Sequence, residues 1–166
     1  MPLKLAVMVS GSGSNLQAII DKVQAGFLDA EIRLVLSNNP EAFGLERARC
    51  AGFATYAVSH KDFASREAFD AELVARIKES GADTVALAGF MRMLTPQFLQ
   101  AFPGRVVNIH PALLPSFIGV HGQGDAAEYG VKISGCTVHF VDEIMDHGPV
   151  IIQAAVPTYP EDDGSS

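Results

Sequence analysis

Short apolar runs alternate along this chain with stretches whose apolar positions recur at helical spacing. Leu3 to Val9 is almost wholly apolar and is broken by Ser-Gly-Ser-Gly, which predicts a buried strand stopped by glycines. Leu16, Ile19, Ile20, Val23 and Phe27 then fall at i, i+3, i+4, i+7 and i+11, one stripe of a helix. Glu31 to Leu36 reads as a second strand. A short helix over Phe43 to Ala51 follows, stopped at Gly52. Ala54 to Val58 is a third strand. Ser65 can cap a helix that carries Phe69, Leu73, Val74 and Ile77 and stops near Gly81. Asp83 to Ala88 is a fourth strand, Pro96 can open a short helix, and Arg105 to Ile109 is a fifth strand. A helix over Gly124 to Tyr129 and strands at Ile133 to Val141 and Pro149 to Val156 complete the series.

Continuously apolar strands separated by helices predict a sheet covered on both faces. The link between the last two strands, Asp-Glu-Ile-Met-Asp-His-Gly, is too short for a parallel crossover, so one of them should run antiparallel. The expected fold is a doubly wound, mostly parallel α/β sheet of about seven strands with helices on both faces. It should form a single domain over residues 1–166. In such sheets ligands bind beyond the carboxyl ends of the strands. Candidate chemistry therefore belongs in the loops that start at Ser10, Ser37, Ala88, Asn108 and Asp142.

Composition narrows the classes. The net charge of −7 opposes a nucleic-acid surface, which needs an excess of Lys and Arg. The apolar run near the N-terminus is too short to span a membrane and lacks a signal-peptide cleavage pattern, so a cytoplasmic protein without a membrane partner is expected. Cys50 and Cys136 are far apart and outside any CxxC, so two buried free thiols in a reducing compartment are expected.

Ser10 to Asn15, Ser-Gly-Ser-Gly-Ser-Asn, joins the first strand to the first helix. It is either a plain tight turn or a cradle for one phosphate at the helix start. Leu16 stands where a dinucleotide fingerprint needs its third glycine, and the Lys-Ser/Thr of a P-loop is absent. A second stretch, Asn108-Ile109-His110-Pro111-Ala112-Leu113-Leu114-Pro115, ends the fifth strand. Residues two apart in a strand share a side, so Asn108 and His110 project together. Pro111 holds His110 extended. An amide and an imidazole on one edge can donate to an oxygen gaining negative charge, and an imidazole can also carry a proton near neutral pH. A carboxylate would orient such a histidine, and Asp142, Glu143 and Asp146 all lie in one polar loop; periodicity does not choose among them. His60, His121, His139 and His147 lack metal-ligand spacing with any partner, His139 reads as a residue within a strand that is either structural or a support behind the site residues, and no metal is expected. A GxSxG elbow is absent.

Taken in order, VMVSGSGSNLQAII, LVLSNNPEAFGLERARCAG, SREAFD, LAGFMRML, RVVNIHPALLPSF, GCTVHFVDE and MDHGPVIIQAAVP resemble the glycinamide ribonucleotide formyltransferase family, over residues 4 to about 160. The resemblance implies a Rossmann-like formyltransferase fold and formyl transfer from 10-formyltetrahydrofolate, as co-substrate, to the amine of glycinamide ribonucleotide. It implies Asn108, His110 and Asp146 as the catalytic set, and Gly13, Ser14 and Asn15 as the phosphate site. Arg66 falls at a substrate-side position, and Arg92, Met93, Leu94, Val141 and Asp142 at folate-side positions. It also implies a cis peptide at Leu114-Pro115. The implied partners are these two small molecules, for a monomer or homodimer.

The chain departs from the family pattern at Ile118-Gly119, where Pro-Gly is usual, and at Gly124, where Arg is usual. Its end at Glu-Asp-Asp-Gly-Ser-Ser gives the expectation that the family's further C-terminal helix is lacking. Other readings are a formyltetrahydrofolate hydrolase-like enzyme, whose extra N-terminal domain has no room here, and a non-catalytic phosphate-ligand binding module. A methionyl-tRNA formyltransferase would need an RNA-binding domain and a basic surface.

Overall fold

A computed structural model describes residues 1–163, and the last three residues of the expected domain lie outside the described residues. The chain forms two compact units, Met1–Val106 and Val107–Ser166.

In the first unit, β1 (Leu3–Val9), β2 (Ala30–Ser37), β3 (Thr55–Ala57) and β4 (Thr84–Leu87) alternate with α1 (Ser14–Gln24), α2 (Phe43–Cys50) and α3 (Arg66–Glu79), and α4 (Pro96–Ala101) follows. The strands lie in the order β3-β2-β1-β4, and every pairing is parallel. From β1 the chain steps outward twice and then returns past β1 to β4. Right-handed crossovers therefore put α1 and α2 on one face and α3 on the other. The contacts agree, since α1 packs on α2 and α3 on α4. Two covered faces require strands that are apolar throughout, and Ala6, Val7, Met8 and Val9 are all fully buried.

Local chemistry sets the helix ends. The Ser65 hydroxyl accepts from Ala68 N–H at 3.1 Å and starts α3, and Thr95 caps α4 just before Pro96. α1 is shorter than its apolar stripe. Gly26, at φ 69°, turns the chain out, with Gly26 N–H on Val23 O and Phe27 N–H on Lys22 O. Phe27 thus lies beyond the helix, 81% exposed, with the Lys22 ammonium 4.7 Å from its ring centre. A backbone closure has overridden a side-chain pattern here. A 3₁₀ turn at His60–Asp62 has no apolar periodicity to announce it.

β5 (Val106–His110) begins at the last residue of the first unit and otherwise belongs to the second, where α5 (Gly122–Tyr129), β6 (Ile133–Phe140) and β7 (Val150–Pro157) follow in sequence. β6 runs antiparallel to both β5 and β7, which accounts for the reversed strand expected near the C-terminus. β7 is exposed at every position, although its sequence is that of a buried strand. Among the described residues no helix is long and apolar enough to cross a membrane. Both cysteines are free, but neither is buried as expected: Cys136 is half-buried, and Cys50, at the end of α2 with its thiol 3.5 Å from the Glu46 carboxylate, is exposed.

Candidate active site

β5 carries Asn108 and His110 on one side, and the antiparallel register sets His139 of β6 directly opposite Asn108. Cross-strand partners share a face, so the three side chains converge. Asn108 Nδ2 lies 3.2 Å from His139 Nε2, and His139 Nδ1 lies 2.9 Å from Phe140 O. A carbonyl can only accept, so the proton sits on Nδ1. Nε2 of the neutral ring then accepts one N–H of the Asn108 amide, and the second amide N–H is left to donate elsewhere.

Asp146, in the β6–β7 link, completes the cluster. Its Oδ2 accepts from Gly119 N–H at 2.9 Å and faces His110 Nδ1 at 3.4 Å, while Oδ1 lies 3.8 Å from His139 Nε2. The three side chains are 10%, 3% and 2% exposed for Asp146, His110 and His139, so this carboxylate has left bulk water and is held by partners instead. The structure thus places Asp146, of the three acids in the loop, beside His110. Glu143 is exposed. Asp142 is engaged elsewhere: Oδ2 lies 2.8 Å from His147 Nδ1 and Oδ1 accepts from Ile144 N–H. The His147 hydrogen bond, ahead of that backbone N–H, holds the Asp142 carboxyl below the ordinary carboxylate range.

His110 has a second partner. Its Nε2 donates to Phe117 O at 2.7 Å. Phe117 (φ 53°) and Asp146 (φ 52°) are the non-glycine residues with positive φ among the described residues, and both touch His110. Such backbone costs of order 1–3 kcal/mol per residue and persists where surrounding contacts over-determine it.

Behind His110 the loop is fixed by Thr137, which is fully buried. Its hydroxyl donates to Ala112 O at 2.7 Å and accepts from Leu114 N–H and from Gln153 Nε2, each at 3.0 Å. The Leu114-Pro115 peptide is cis, as the resemblance implies. Thr137→Val keeps the shape but strands Ala112 O and Leu114 N–H. At about 1–3 kcal/mol for a buried unsatisfied group, the expected cost is about 2–4 kcal/mol. Urea unfolding should show a lower midpoint with an unchanged slope; an unmoved midpoint would contradict the bonding described.

The other expected site residues lie in the first unit, apart from Val141 and Asp142. Gly13 is the N-cap of α1 at φ 72°, and a Cβ there would come within 2.5 Å of Gly44 Cα, so glycine is required. No side chain caps α1 and no acid stands in its first turn, so the N–H groups at Ser14 and Asn15 face outward, as an anion would need. Arg47 braces this loop, with Nε on Ser12 O at 2.8 Å and Nη1 on Gln17 Oε1 at 3.3 Å. Arg66 Nη2 donates to Met93 O at 3.1 Å, and the Arg92 guanidinium lies 5.3 Å from the Phe69 ring centre. Met93 is exposed, whereas Leu94 is buried and can offer a ligand only its backbone.

Residues 3–166 match the formyl transferase family model. The chain belongs to this family. Phosphoribosylglycinamide formyltransferase of Escherichia coli strain K12 is 48% identical over 160 residues, 96% of this chain and 76% of that protein. The trifunctional purine biosynthetic protein adenosine-3 of Drosophila melanogaster is 53% identical over 165 residues, 98% of this chain but only 12% of that protein. Among solved structures, glycinamide ribonucleotide transformylase 1 of Symbiobacterium toebii superposes with a TM-score of 0.96 at 46% identity, over 99% of this chain and 77% of that one. The mostly parallel sheet with its antiparallel C-terminal strands is the fold of these formyltransferases.

Sequence reasoning missed Phe117, Gly119 and Arg47 as parts of these sites, and for His139 it left a supporting role open without choosing it. That role could have been chosen only by knowing the β5–β6 register. The other three act through backbone atoms or on them, and residue type does not announce that.

Proposed function

We propose that this chain transfers the formyl group of 10-formyltetrahydrofolate to the amine of glycinamide ribonucleotide, in the cytoplasm and as a monomer or homodimer, as a step of purine synthesis. The observation that carries the reading is the Asn108–His139–Asp146–His110 cluster, with both histidines buried and Asn108 and Asp146 half-buried, in a chain of this family. The amine nitrogen attacks the formyl carbon, and charge builds on the formyl oxygen. The unused N–H of Asn108 donates to that oxygen, a contact worth roughly 3–4 kcal/mol in comparable sites. His110 donates to it by exchanging the Phe117 carbonyl for the formyl oxygen. Asp146 keeps His110 oriented and relays the proton that leaves the amine to the folate nitrogen, as the bond from that nitrogen to carbon breaks. The products are the formylated amine and tetrahydrofolate.

In this reading the phosphate sits on the N–H groups of Gly13, Ser14 and Asn15, with Arg66 on the substrate side. On the folate side the reading assigns Arg92, Met93 and the Leu94 backbone in the first unit and, separately, Val141 and Asp142 in the second. The test supplies 10-formyltetrahydrofolate with and without glycinamide ribonucleotide and follows loss of the formyl group. Consumption that depends on the amine is expected. Consumption without it would make the chain a hydrolase, and binding without consumption a ligand-binding module.

A further inference from the structure

β1 and β4 are neighbours in the sheet, paired from Leu5–Thr84 to Met8–Leu87. The crossovers diverge between them, which makes this the switch point of the first unit, where doubly wound sheets open a ligand crevice. The loop after β1 leads to the α1 N-terminus, and the loop after β4 leads through Arg92, Met93 and Leu94 to α4. Ser10 stands where these two loops meet.

The N–H and the hydroxyl of Ser10 each tie one loop to another. Its N–H donates to Gly89 O at 3.0 Å. Its Oγ accepts from Met91 N–H at 2.8 Å and donates to Asn38 Oδ1 at 2.6 Å. One hydroxyl thus joins the loops that follow β1, β2 and β4. The bonds run head to tail, from the Met91 amide through the Ser10 hydroxyl to the Asn38 carbonyl, an arrangement in which each bond polarises the next. The far half of the β4 loop is anchored separately, to α3, by Arg66 on Met93 O and by Asp70 Oδ2, which accepts Thr95 N–H at 2.7 Å. The near half hangs on Ser10.

We propose that Ser10 is a positioning residue that couples the two ligand sites of the first unit, the phosphate cradle at Gly13–Asn15 and the folate strip at Arg92–Leu94. The proposal rests on the functional reading above and adds a regulation to it. A ligand that orders the β1 loop also fixes Ser10 Oγ, and with it Met91 N–H. The second ligand then meets a strip that is already ordered and loses less conformational freedom on binding. The coupling is reciprocal, because it is a property of the equilibrium.

Calorimetry with tetrahydrofolate as the probe, with and without saturating glycinamide ribonucleotide, tests this on a pair that cannot react. The full chain should bind tetrahydrofolate about fivefold tighter, or more, when the ribonucleotide is present, the low end of ordinary coupling. Ser10→Ala should bring that ratio below about twofold, and Ser10→Thr, which keeps the hydroxyl, should restore it. In turnover, Ser10→Ala should raise KM for the formylfolate while leaving kcat at saturation nearly unchanged, a split that general loss of structure would not give. Ser10→Cys keeps the size with a poor acceptor, so the ratio must fall in it too, even if the alanine variant does not fold. Wild-type coupling in both variants, or no coupling in the parent chain, overturns the proposal. A parent chain that binds no tetrahydrofolate overturns the folate reading itself, and this inference with it.

Discussion

Asp146→Asn should lower kcat at least about a hundredfold, about 2.7 kcal/mol of barrier, with KM for either substrate little changed. The substitution is chosen to spare the fold. Asparagine has the shape of aspartate and tolerates the left-handed backbone that Asp146 adopts at φ 52°. Its amide oxygen can still accept Gly119 N–H, which Asp146 now binds at 2.9 Å. What disappears is the negative charge 3.4 Å from His110 Nδ1 and 3.8 Å from His139 Nε2, at a position 10% exposed, where solvent screens little. An imidazolium at His110 then has no counter-charge, and the amine proton has no base to receive it. Steady-state rates on purified protein, with circular dichroism to show that the fold is kept, decide the matter. A variant within about tenfold of the parent in kcat would remove Asp146 from the chemistry and leave it a loop-holding role.

The fold was legible wherever burial on two faces forces a pattern. Leu3–Val9 could be read as a strand because every side chain of a covered strand must be apolar, and Ser65 and Pro96 could be read as helix starts because those ends need an acceptor or a residue without N–H. Phe27 misled because a Schellman closure at Gly26 ended the helix first. β7 has the apolar sequence of a covered strand, yet all eight positions are exposed. At the site, strand alternation was enough to join Asn108 to His110. It could not choose among Asp142, Glu143 and Asp146, because the loop's backbone decides which acid turns inward, and that depends on a left-handed residue at 146. Phe117 and Gly119 were invisible for a related reason. They act through a carbonyl and an amide, which every residue type but proline supplies alike.

Gly148→Ala should damage folding and catalysis together, and the two effects can be separated. Gly148 closes the link between β6 and β7, where Phe140 N–H donates to Pro149 O at 2.9 Å. A Cβ at 148 would lie 1.8 Å from Phe140 O and 2.8 Å from Phe140 C, both backbone atoms of the opposing strand, so no rotamer relieves the clash. The strands must part at this point. The expected cost is about 3 kcal/mol, the upper end for overpacking, visible as a lower urea midpoint. The same movement displaces the turn that holds Asp146, two residues away, and Phe140 O, which accepts from His139 Nδ1 at 2.9 Å and so sets the tautomer that orients Asn108. Misplacing catalytic groups by about 1 Å can cost a hundredfold in rate, so kcat per folded molecule should fall by about that factor, measured well below the melting temperature. Thr137→Val provides the contrast, since it should lower stability by a similar amount with a much smaller change in kcat per folded molecule. If Gly148→Ala lost stability but kept its turnover, the geometry of the β6–β7 link would not be what holds the carboxylate in place.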